Sequence, residues 1–347
     1  MSRFSKGVIA LATMVAFTIA CSQQSSAASS WAFTDDSANL GLTGVSPHVE
    51  RTGSVDRLWY SGGPAGTAVA DCTSAGSCTA VAANWGTPIN DVSFATFGGV
   101  KRAYFKKMDP MSGTQAVYSA PCLTADCVSI GAATLTSEQM KVSTSVKAWG
   151  VPDAVELPGG AGVRIYIVES PTMTSSCPEK VASYTAADGV TFVKDAGYRF
   201  SRDGFVDTEI LRATTGSWLM IMSDGPGCGN TQELYMSDST DGLTWSNPVA
   251  ITGSDKSRLD PTGYETSPGS NVFKVYFATS AGRQDMNFTI GSGTLKVAAA
   301  SSSATTTATA KAGAACTKAG AKASVTVAKK KTTLTCKTVK KKLVWSK

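Results

Sequence analysis

Acidic side chains and a single histidine are the residues of this chain whose types and spacing could do chemistry. Five of them recur at intervals of 43, 62, 54 and 53 positions: His48, Asp91, Asp153, Asp207 and Asp260. Several carboxylates around one pocket suit the cleavage of a glycosidic bond, because one must carry a proton for the leaving oxygen while another, ionised, activates water or attacks carbon. Crowded like charges push pKa values apart, which lets one pocket hold both states.

Short apolar segments follow these residues and would have to position them. Each aspartate of the series lies 13 residues ahead of an aromatic or apolar residue in such a segment. The segments are rich in β-branched and aromatic residues and are bounded by turn formers, which predicts strands: 57–60, 102–107, 163–168, 217–222 and 272–278. Five units of about 50 residues, each built of short strands, predict an all-β fold, a five-bladed β-propeller. A β-sandwich is the alternative, but it does not explain the constant offset.

The innermost strands of a propeller converge on a central channel, so we expect the recurring residues to meet at one mouth of it. Alternation along a strand adds Glu50 beside His48 and Glu209 beside Asp207. Arg258 also lies near the start of an inner strand. Alternatively, each aspartate caps backbone N–H groups of the next blade, and His48 is structural. The predicted catalytic residues are Glu209, Asp153 and Asp91, and the predicted substrate-binding residues are His48, Glu50, Asp207, Asp260 and Arg258.

A turn motif occurs twice, as "YTAADGVTF" (184–192) and "SDSTDGLTW" (237–245). Asp-Gly is a two-residue hairpin signal, because Gly accepts a positive φ and Asp bonds its own backbone. We therefore predict hairpin turns at Asp188-Gly189 and Asp241-Gly242. The aromatic residues that follow, Phe192 and Trp245, are expected to pack between neighbouring sheets.

The second motif, with its Ser-x-Asp-Gly-x-x-aromatic order, resembles the turns of five-bladed glycosidases: arabinanases, β-xylosidases, invertases and their relatives. The segment 151–170, "VPDAVELPGGAGVRIYIVES", is similar to their inner strands, and the resemblance covers about 250 residues. It implies an Asp base or nucleophile in the first blade, a supporting Asp in the second or third, and a Glu general acid in a later blade. Asp91 and Asp153 match supporting positions, and Glu209 matches the acid. His48 stands where the first-blade Asp is expected.

Two functions therefore stay open. One is a glycoside hydrolase, and the other is a propeller that binds glycans or acts as a scaffold without catalysis. A sialidase-like exo-glycosidase is a minor alternative, because the turns also resemble sialidase boxes and arginines are available. A Ser-His-Asp triad would have to use His48, and the chain has no G-x-S-x-G elbow. We expect no cofactor.

The N-terminal segment has the pattern of an export signal. Arg3 and Lys6 precede an uncharged, mostly apolar run from Gly7 to Ala20. "TIAC", ending at Cys21, resembles a lipoprotein cleavage site with Cys21 lipidated, and the alternative is ordinary cleavage near Ala27 or Ala28. Both predict an extracellular or cell-surface location, with the membrane reached only through a lipid anchor.

Cysteine usage agrees with an oxidising compartment. Without Cys21, eight of the nine cysteines remain, and their spacing suggests four pairs: Cys72–Cys78, Cys122–Cys127, Cys177–Cys228 and Cys316–Cys336. Zinc is the alternative for paired cysteines. We expect no metal, because the chain has no C-x-x-C and one histidine.

Charge divides the chain into parts. The net charge is +6, but residues 311–347 hold eleven lysines and no acid. Without these and the two basic residues of the N-terminal segment, 19 basic residues face 26 acidic ones, so the body is acidic and specific nucleic-acid binding is not expected. We predict an export segment and spacer (1–29), a propeller (30–297), an Ala/Ser/Thr linker (298–310) and a small disulfide-closed basic module (311–347). The module suits anionic cell-wall polymers, and we expect a monomer.

Overall fold

A computed structural model describes residues 30–36, 39–62, 66–109, 111, 113–141, 150–171, 176–214, 216–282, 285–298, 322–327, 330–339 and 342–346. A compact unit spans Ser29–Ala299, and the remaining residues cluster separately. Cys21 and Cys316 lie outside the described residues, so lipidation and the fourth disulfide stay predictions. Among the described residues, no helix is long and apolar enough to cross a membrane.

Antiparallel strands build the compact unit, with two short 3-10 helices at Glu138–Met140 and Pro158–Gly160. Its strands are, in chain order, β1 (Ser30–Asp35), β2 (Val45–Thr52), β3 (Val55–Ser61), β4 (Thr67–Cys72), β5 (Cys78–Val81), β6 (Asn90–Phe97), β7 (Val100–Met108), β8 (Gln115–Pro121), β9 (Thr134–Leu135), β10 (Asp153–Glu156), β11 (Val163–Glu169), β12 (Lys180–Ala186), β13 (Val193–Lys194), β14 (Phe205–Arg212), β15 (Trp218–Asp224), β16 (Leu234–Ser239), β17 (Val249–Ala250), β18 (Ser257–Glu265), β19 (Val272–Ser280) and β20 (Thr289–Ala298).

Five four-stranded sheets follow one another along the chain as blades. Blade 1 is β2–β5, blade 2 is β6–β9, blade 3 is β10–β13 and blade 4 is β14–β17. Blade 5 has the order β18-β19-β20-β1, so its outer strand comes from the beginning of the unit. The first strands contact one another in a closed cycle, β2 with β6, β6 with β10, β10 with β14, β14 with β18 and β18 with β2. The predicted all-β five-bladed propeller is confirmed.

The five segments predicted as strands from their apolar composition are the second strands of the five blades. Their large side chains are buried between neighbouring blades. Trp59 packs between blades 1 and 2, Tyr104 between blades 2 and 3, and Tyr166 between blades 3 and 4. Burial of these rings is the main force that holds adjacent sheets together.

The repeated turn fastens blade 3 to blade 2 and blade 4 to blade 3. The Tyr104 hydroxyl donates to the Gly189 carbonyl at 2.8 Å, and the Tyr166 hydroxyl donates to the Gly242 carbonyl at 2.6 Å. Phe192 is buried against Tyr104, and the Trp245 ring lies 6.0 Å from the Tyr166 ring. The aromatic residues therefore pack between sheets as predicted.

These turns are not two-residue hairpins, which corrects the sequence prediction. The outer strands begin only at Val193 and Val249. Asp188 and Asp241 instead accept backbone N–H groups two and three residues ahead with Oδ1, at 2.7–2.8 Å. The carboxylate replaces the strand as the partner for these amides, so a longer loop forms.

Three disulfides form in the described part of the chain, at the pairs that the spacing suggested. Cys72–Cys78 joins the end of β4 to the start of β5, and Cys122–Cys127 closes a loop after β8. Cys177–Cys228 joins a loop of blade 3 to a loop of blade 4 across 51 positions. This last pair links two blades and closes the longest loop of the three.

The C-terminal residues form a separate three-stranded antiparallel sheet. Its strands are β21 (Lys322–Val327), β22 (Lys330–Val339) and β23 (Lys342–Ser346), in that order. β22 is the central strand and pairs with both β21 and β23. Leu334 and Cys336 alternate with more exposed residues and form the buried face.

Candidate active site

A β-bulge near the start of the inner strand decides where the acidic residues point. In blades 1, 2, 4 and 5 the pairing of the first two strands shifts by one residue, between positions 45 and 48, 90 and 93, 206 and 209, and 259 and 262. The residues at the bulges have positive φ angles: Ser46 (50°), Asp91 (52°), Asp207 (55°) and Asp260 (49°). Aspartate tolerates this left-handed conformation better than most residues. The bulge positions form one layer of side chains, which we call the bulge layer.

A second layer lies two residues further along each inner strand. It consists of His48, Ser93, Asp153, Glu209 and Thr262, and we call it the cleft layer. Three of its members accept the backbone N–H that follows the next member: Ser93 from Ala154 (3.1 Å), Asp153 from Ile210 (2.8 Å) and Thr262 from Val49 (3.2 Å). This recurring bond shows that the five positions are equivalent. The backbone-capping role weighed for these aspartates is therefore present at Asp153.

A half-buried lysine lies beside the bulge layer. Lys106, on β7, lies 2.5 Å from Asp91 through Nζ and Oδ2, and its side chain is 18% exposed. Burial would raise the pKa of Asp91, but the Lys106 ammonium and hydrogen bonds hold it below the ordinary value. Burial opposes the charge of Lys106, yet Asp91, Asp260 and Asp207 raise its pKa.

Asp207 and Asp260 form the other half of this layer. Asp260 accepts the Ser46 N–H at 2.8 Å, and the Ser223 hydroxyl donates to Asp207 at 2.8 Å. Burial raises the pKa of Asp207 to about 6. Burial and the charges of Asp207 and Asp91 raise the pKa of Asp260 well above its ordinary value. Both carboxyl groups therefore bind a proton more readily than a free aspartate side chain.

The cleft layer brings three titratable side chains together. His48 Nδ1 lies 3.8 Å from Glu209 Oε1, and both residues are 9% exposed. Asp153 is 4% exposed and hydrogen bonds to Glu209. The Thr262 hydroxyl donates to Glu209 Oε1 at 2.9 Å. Blades 1, 3, 4 and 5 thus all contribute to one cluster.

The Asp153 carboxyl group beside Glu209 binds a proton more readily than a free aspartate side chain. Burial raises the pKa of Asp153 well above its ordinary value, and the negative charge of Glu209 raises it further. The Ile210 N–H and Arg212 act in the opposite direction but do not prevent the rise. Two touching carboxyl groups titrate as a unit, so the proton belongs to the pair.

His48, Asp153 and Glu209 line a cleft of about 560 Å³. Its walls come from β6 of blade 2, the segment 154–159 of blade 3, and Ile210 and Arg212 of blade 4. Arg212 is exposed and lies over the Trp218 ring at 4.5 Å. The Phe94 ring lies 5.4 Å from His48 and contributes an apolar wall. The cleft is therefore polar and acidic at its floor, with an aromatic and a cationic side chain at its sides.

The structure separates several predicted site residues from this cleft. Asp91, Asp207 and Asp260 belong to the bulge layer. Each of them lies two positions before the cleft-layer residue of its strand. The 13-residue offset that grouped them with Asp153 matches the strand register only in blade 3, where Asp153 pairs with Tyr166. In blade 2 it is Ser93 that pairs with Tyr104. The prediction of one shared ring of aspartates is thus corrected to two layers.

Two further predicted substrate-binding residues, Glu50 and Arg258, form ion pairs and do not line the cleft. Glu50 lies 2.5 Å from Lys101. Arg258 is 4% exposed and bonds Asp35 and Asp255 with its guanidinium. Glu50 is thus paired with a lysine of blade 2, and Arg258 is paired with carboxylates of its own blade and of the loop that leads into it.

Sequence reasoning missed Thr262, Ser93 and Lys106. The first two are the small hydroxyl residues two positions after the bulge in blades 5 and 2. A search for carboxylates does not find hydroxyl residues. Lys106 sits in a segment predicted as an ordinary strand, and its alternation with Tyr104 was the signal that it faces inward.

A group of possible metal ligands occurs elsewhere, at Cys177, Glu179 and Cys228. The two cysteines are joined in a disulfide, so they offer no thiolate. Within the described part of the chain, this group does not fit a zinc site.

Comparisons with known proteins bear on the fold. No family model and no curated protein matches the chain. Solved structures do match. A GH43 endo-arabinanase from Bacillus licheniformis is 11% identical, with a TM-score of 0.51 over 77% of this chain and 96% of that one. An α-L-arabinanase from Cellvibrio cellulosa, complexed with arabinohexaose, is 10% identical, with a TM-score of 0.53 over 74% and 96%.

An endo-arabinase from Bacteroides thetaiotaomicron is similar to the same degree, with 10% identity and a TM-score of 0.52 over 75% and 96%. The chain has the fold of arabinanases. Such low identity shows the fold alone, so the chemistry must be argued from the cleft. There, the carboxyl pair of Asp153 and Glu209, in which the pKa of Asp153 is raised, lies beside the His48 imidazole. This combination can deliver a proton at one point and accept one at another.

Proposed function

We propose that the protein is a glycoside hydrolase that acts on a glycan bound in the cleft of His48, Asp153 and Glu209. One observation carries the proposal: two buried carboxyl groups in contact, Asp153 with a raised pKa and Glu209, line a cleft beside a histidine. The fold likeness to arabinanases supports it, because the cleft lies on a scaffold that such enzymes also have.

In this proposal each residue has a separate task. Glu209 gives the proton of the pair to the glycosidic oxygen as its bond to the anomeric carbon breaks. Asp153 keeps that proton available at neutral pH. His48 takes a proton from the water that forms the new bond to the anomeric carbon, so the products are an alcohol and a free reducing sugar. The proton on His48 then returns to the solvent or to the pair.

A second candidate is glycan binding without hydrolysis. Acid and base groups of inverting glycosidases stand roughly 6.5–9.5 Å apart, to leave room for sugar and water. His48 and Glu209 are 3.8 Å apart. Hydrolysis therefore requires these side chains to separate when a sugar enters, whereas binding at the rim of the cleft does not.

Glu209→Gln tests the hydrolase proposal. We expect the variant to fold and to lose hydrolysis by about 10²–10⁴-fold, the usual contribution of a general acid. The assay is a panel of glycans read by product mass, with binding measured by calorimetry on the same samples. Glu138→Gln is the control, because that side chain is 78% exposed and lies on the surface.

Three outcomes separate the candidates. Product formation that falls only in the Glu209 variant supports hydrolysis. Glycan affinity without any product from the wild type selects the binding candidate. Equal turnover by wild type and Glu209→Gln would reject the proposed acid.

We also propose that the basic module retains an exported protein at anionic wall polymers. The eleven lysines without an acid in 311–347 support this. We expect the full chain to bind a teichoic-acid-type polyol phosphate polymer in a salt-sensitive manner. This binding should be absent after removal of 311–347. Binding that is insensitive to this truncation would contradict it.

A further inference from the structure

Thr262 makes two hydrogen bonds that connect the acid to the strand of the histidine. Its hydroxyl oxygen accepts the Val49 N–H at 3.2 Å, and Val49 directly follows His48. The same hydroxyl reaches Glu209 Oε1 at 2.9 Å. Thr262 is 0% exposed, so solvent does not compete for these bonds.

The hydroxyl has one proton, and a buried donor must use it. The Val49 N–H is itself a donor, so it cannot receive that proton. Glu209 Oε1 is the acceptor within reach among the described residues. The hydroxyl therefore donates to Oε1, and a carboxyl oxygen that already accepts this bond is a poor place for the proton of the Asp153–Glu209 pair.

We propose that Thr262 is a positioning residue that assigns the transferable proton to Glu209 Oε2. The inference deepens the proposed function, because it states which oxygen of the acid delivers the proton. The same bond keeps Oε1, the oxygen nearer to His48 Nδ1, unprotonated. The histidine thus faces an acceptor oxygen, and Oε2 is left as the oxygen that carries the proton.

Neutron diffraction on deuterium-exchanged crystals of the full chain tests the assignment without any assay of activity. We expect the Thr262 deuterium to point at Glu209 Oε1 and the deuterium of the pair to lie at Oε2 or between Oε2 and Asp153. A deuterium on Oε1, or a Thr262 hydroxyl turned away from it, would overturn the proposal. This test remains valid if the wild type hydrolyses no glycan, so it does not depend on the proposed function.

Substitution gives an independent test. Thr262→Val removes a donor to the ionised pair, so the pH at which the Asp153–Glu209 pair loses its proton should rise by about one unit, as followed by carbon-13 NMR of the carboxyl groups. Thr262→Ser should restore the wild-type titration. Thr208→Val is the matched control: Thr208 precedes Glu209, is 0% exposed, and its hydroxyl has no partner among the described residues.

No shift in a folded Thr262→Val protein would contradict the proposal, as would an equal shift in Thr208→Val. If Thr262→Val does not fold, the serine variant and the neutron map still decide. Where hydrolysis is measurable, the pH profile of kcat should move with the NMR titration in Thr262→Val and stay in place in Thr262→Ser.

Discussion

The buried aspartates of the channel differ by the charge that each one faces. Asp91 faces the Lys106 ammonium and has a lowered pKa. Asp153 faces Glu209, and Asp260 faces Asp207, so these carboxyl groups have raised pKa values. All are removed from water, and the neighbouring charge decides which form is favoured. The protein can thus keep ionised and protonated carboxyl groups at one pH.

Asp207 gives a prediction at this scale. Its pKa is about 6 in the folded protein against 3.8 for the free side chain. A raised pKa means that the folded state binds the proton more tightly, so this contribution to stability is present at low pH and is lost as the pH rises through 6. Relative to Asp207→Asn, the wild type should therefore lose about 1 kcal/mol of unfolding free energy between pH 5 and pH 7.

Urea denaturation of both proteins at the two pH values measures this change. Asp241→Asn is the control, because the pKa of Asp241 is lowered to about 2 and it stays ionised across this window. A constant difference between wild type and Asp207→Asn would contradict the expected titration.

At the scale of elements, the turn at Gly242 in blade 4 depends on close approach to Tyr166 of blade 3. A Cβ on Gly242 would lie 2.8 Å from the Tyr166 hydroxyl and 2.9 Å from the Arg164 guanidinium. Its φ of +69° also favours glycine. Gly242 therefore serves both the turn conformation and the contact between blades 3 and 4.

Gly242→Ala should destabilise the protein by about 1–3 kcal/mol more than Gly197→Ala. Gly197 has a similar φ of +71°, but a Cβ there would meet nothing within 4 Å. The two variants share the backbone cost, so their difference isolates the steric clash with Tyr166 and Arg164. Unfolding free energies from urea titrations measure it, and equal losses would show that the blade contact adjusts at no cost.

The strands were the part of the structure that the sequence predicted most accurately. Apolar composition located the second strand of every blade, because burial between sheets demands it. The register of the first strands could not be predicted, because a bulge adds a residue without leaving a pattern in hydrophobicity. That one-residue irregularity moved Asp91, Asp207 and Asp260 out of the cleft, while Asp153, Glu209 and His48 were identified by type and lie in it. Thr262 was missed because a lone threonine carries no signal before its partners are known.

At the scale of the molecule, Lys106 is a charge shared by three blades. Asp91 belongs to blade 2, Asp207 to blade 4 and Asp260 to blade 5, and all three raise the pKa of this lysine. The Lys106 ammonium therefore feels carboxyl groups from three of the five blades, and it forms its ion pair with Asp91.

Lys106→Met should destabilise the propeller by about 3–5 kcal/mol at pH 7, because it leaves Asp91 buried without its counter-charge. The loss should shrink as the pH falls and Asp91 takes up a proton. Lys107→Met is the control, since Lys107 lies beside it on β7, over the Tyr118 ring at 4.4 Å. Chemical denaturation at pH 7 and pH 4 measures both variants, and similar effects of the two substitutions would refute a central role for Lys106.

Blade 5 has a mechanical consequence. Its outer strand β1 pairs with β20 so that Ser30 lies opposite Ala298. The segments that precede and follow the propeller in the sequence are therefore attached at neighbouring points on the edge of blade 5. Tension between these two segments would separate β1 from β20 one residue pair at a time. Blade 5 would therefore open before the load reached the inner strands that line the cleft.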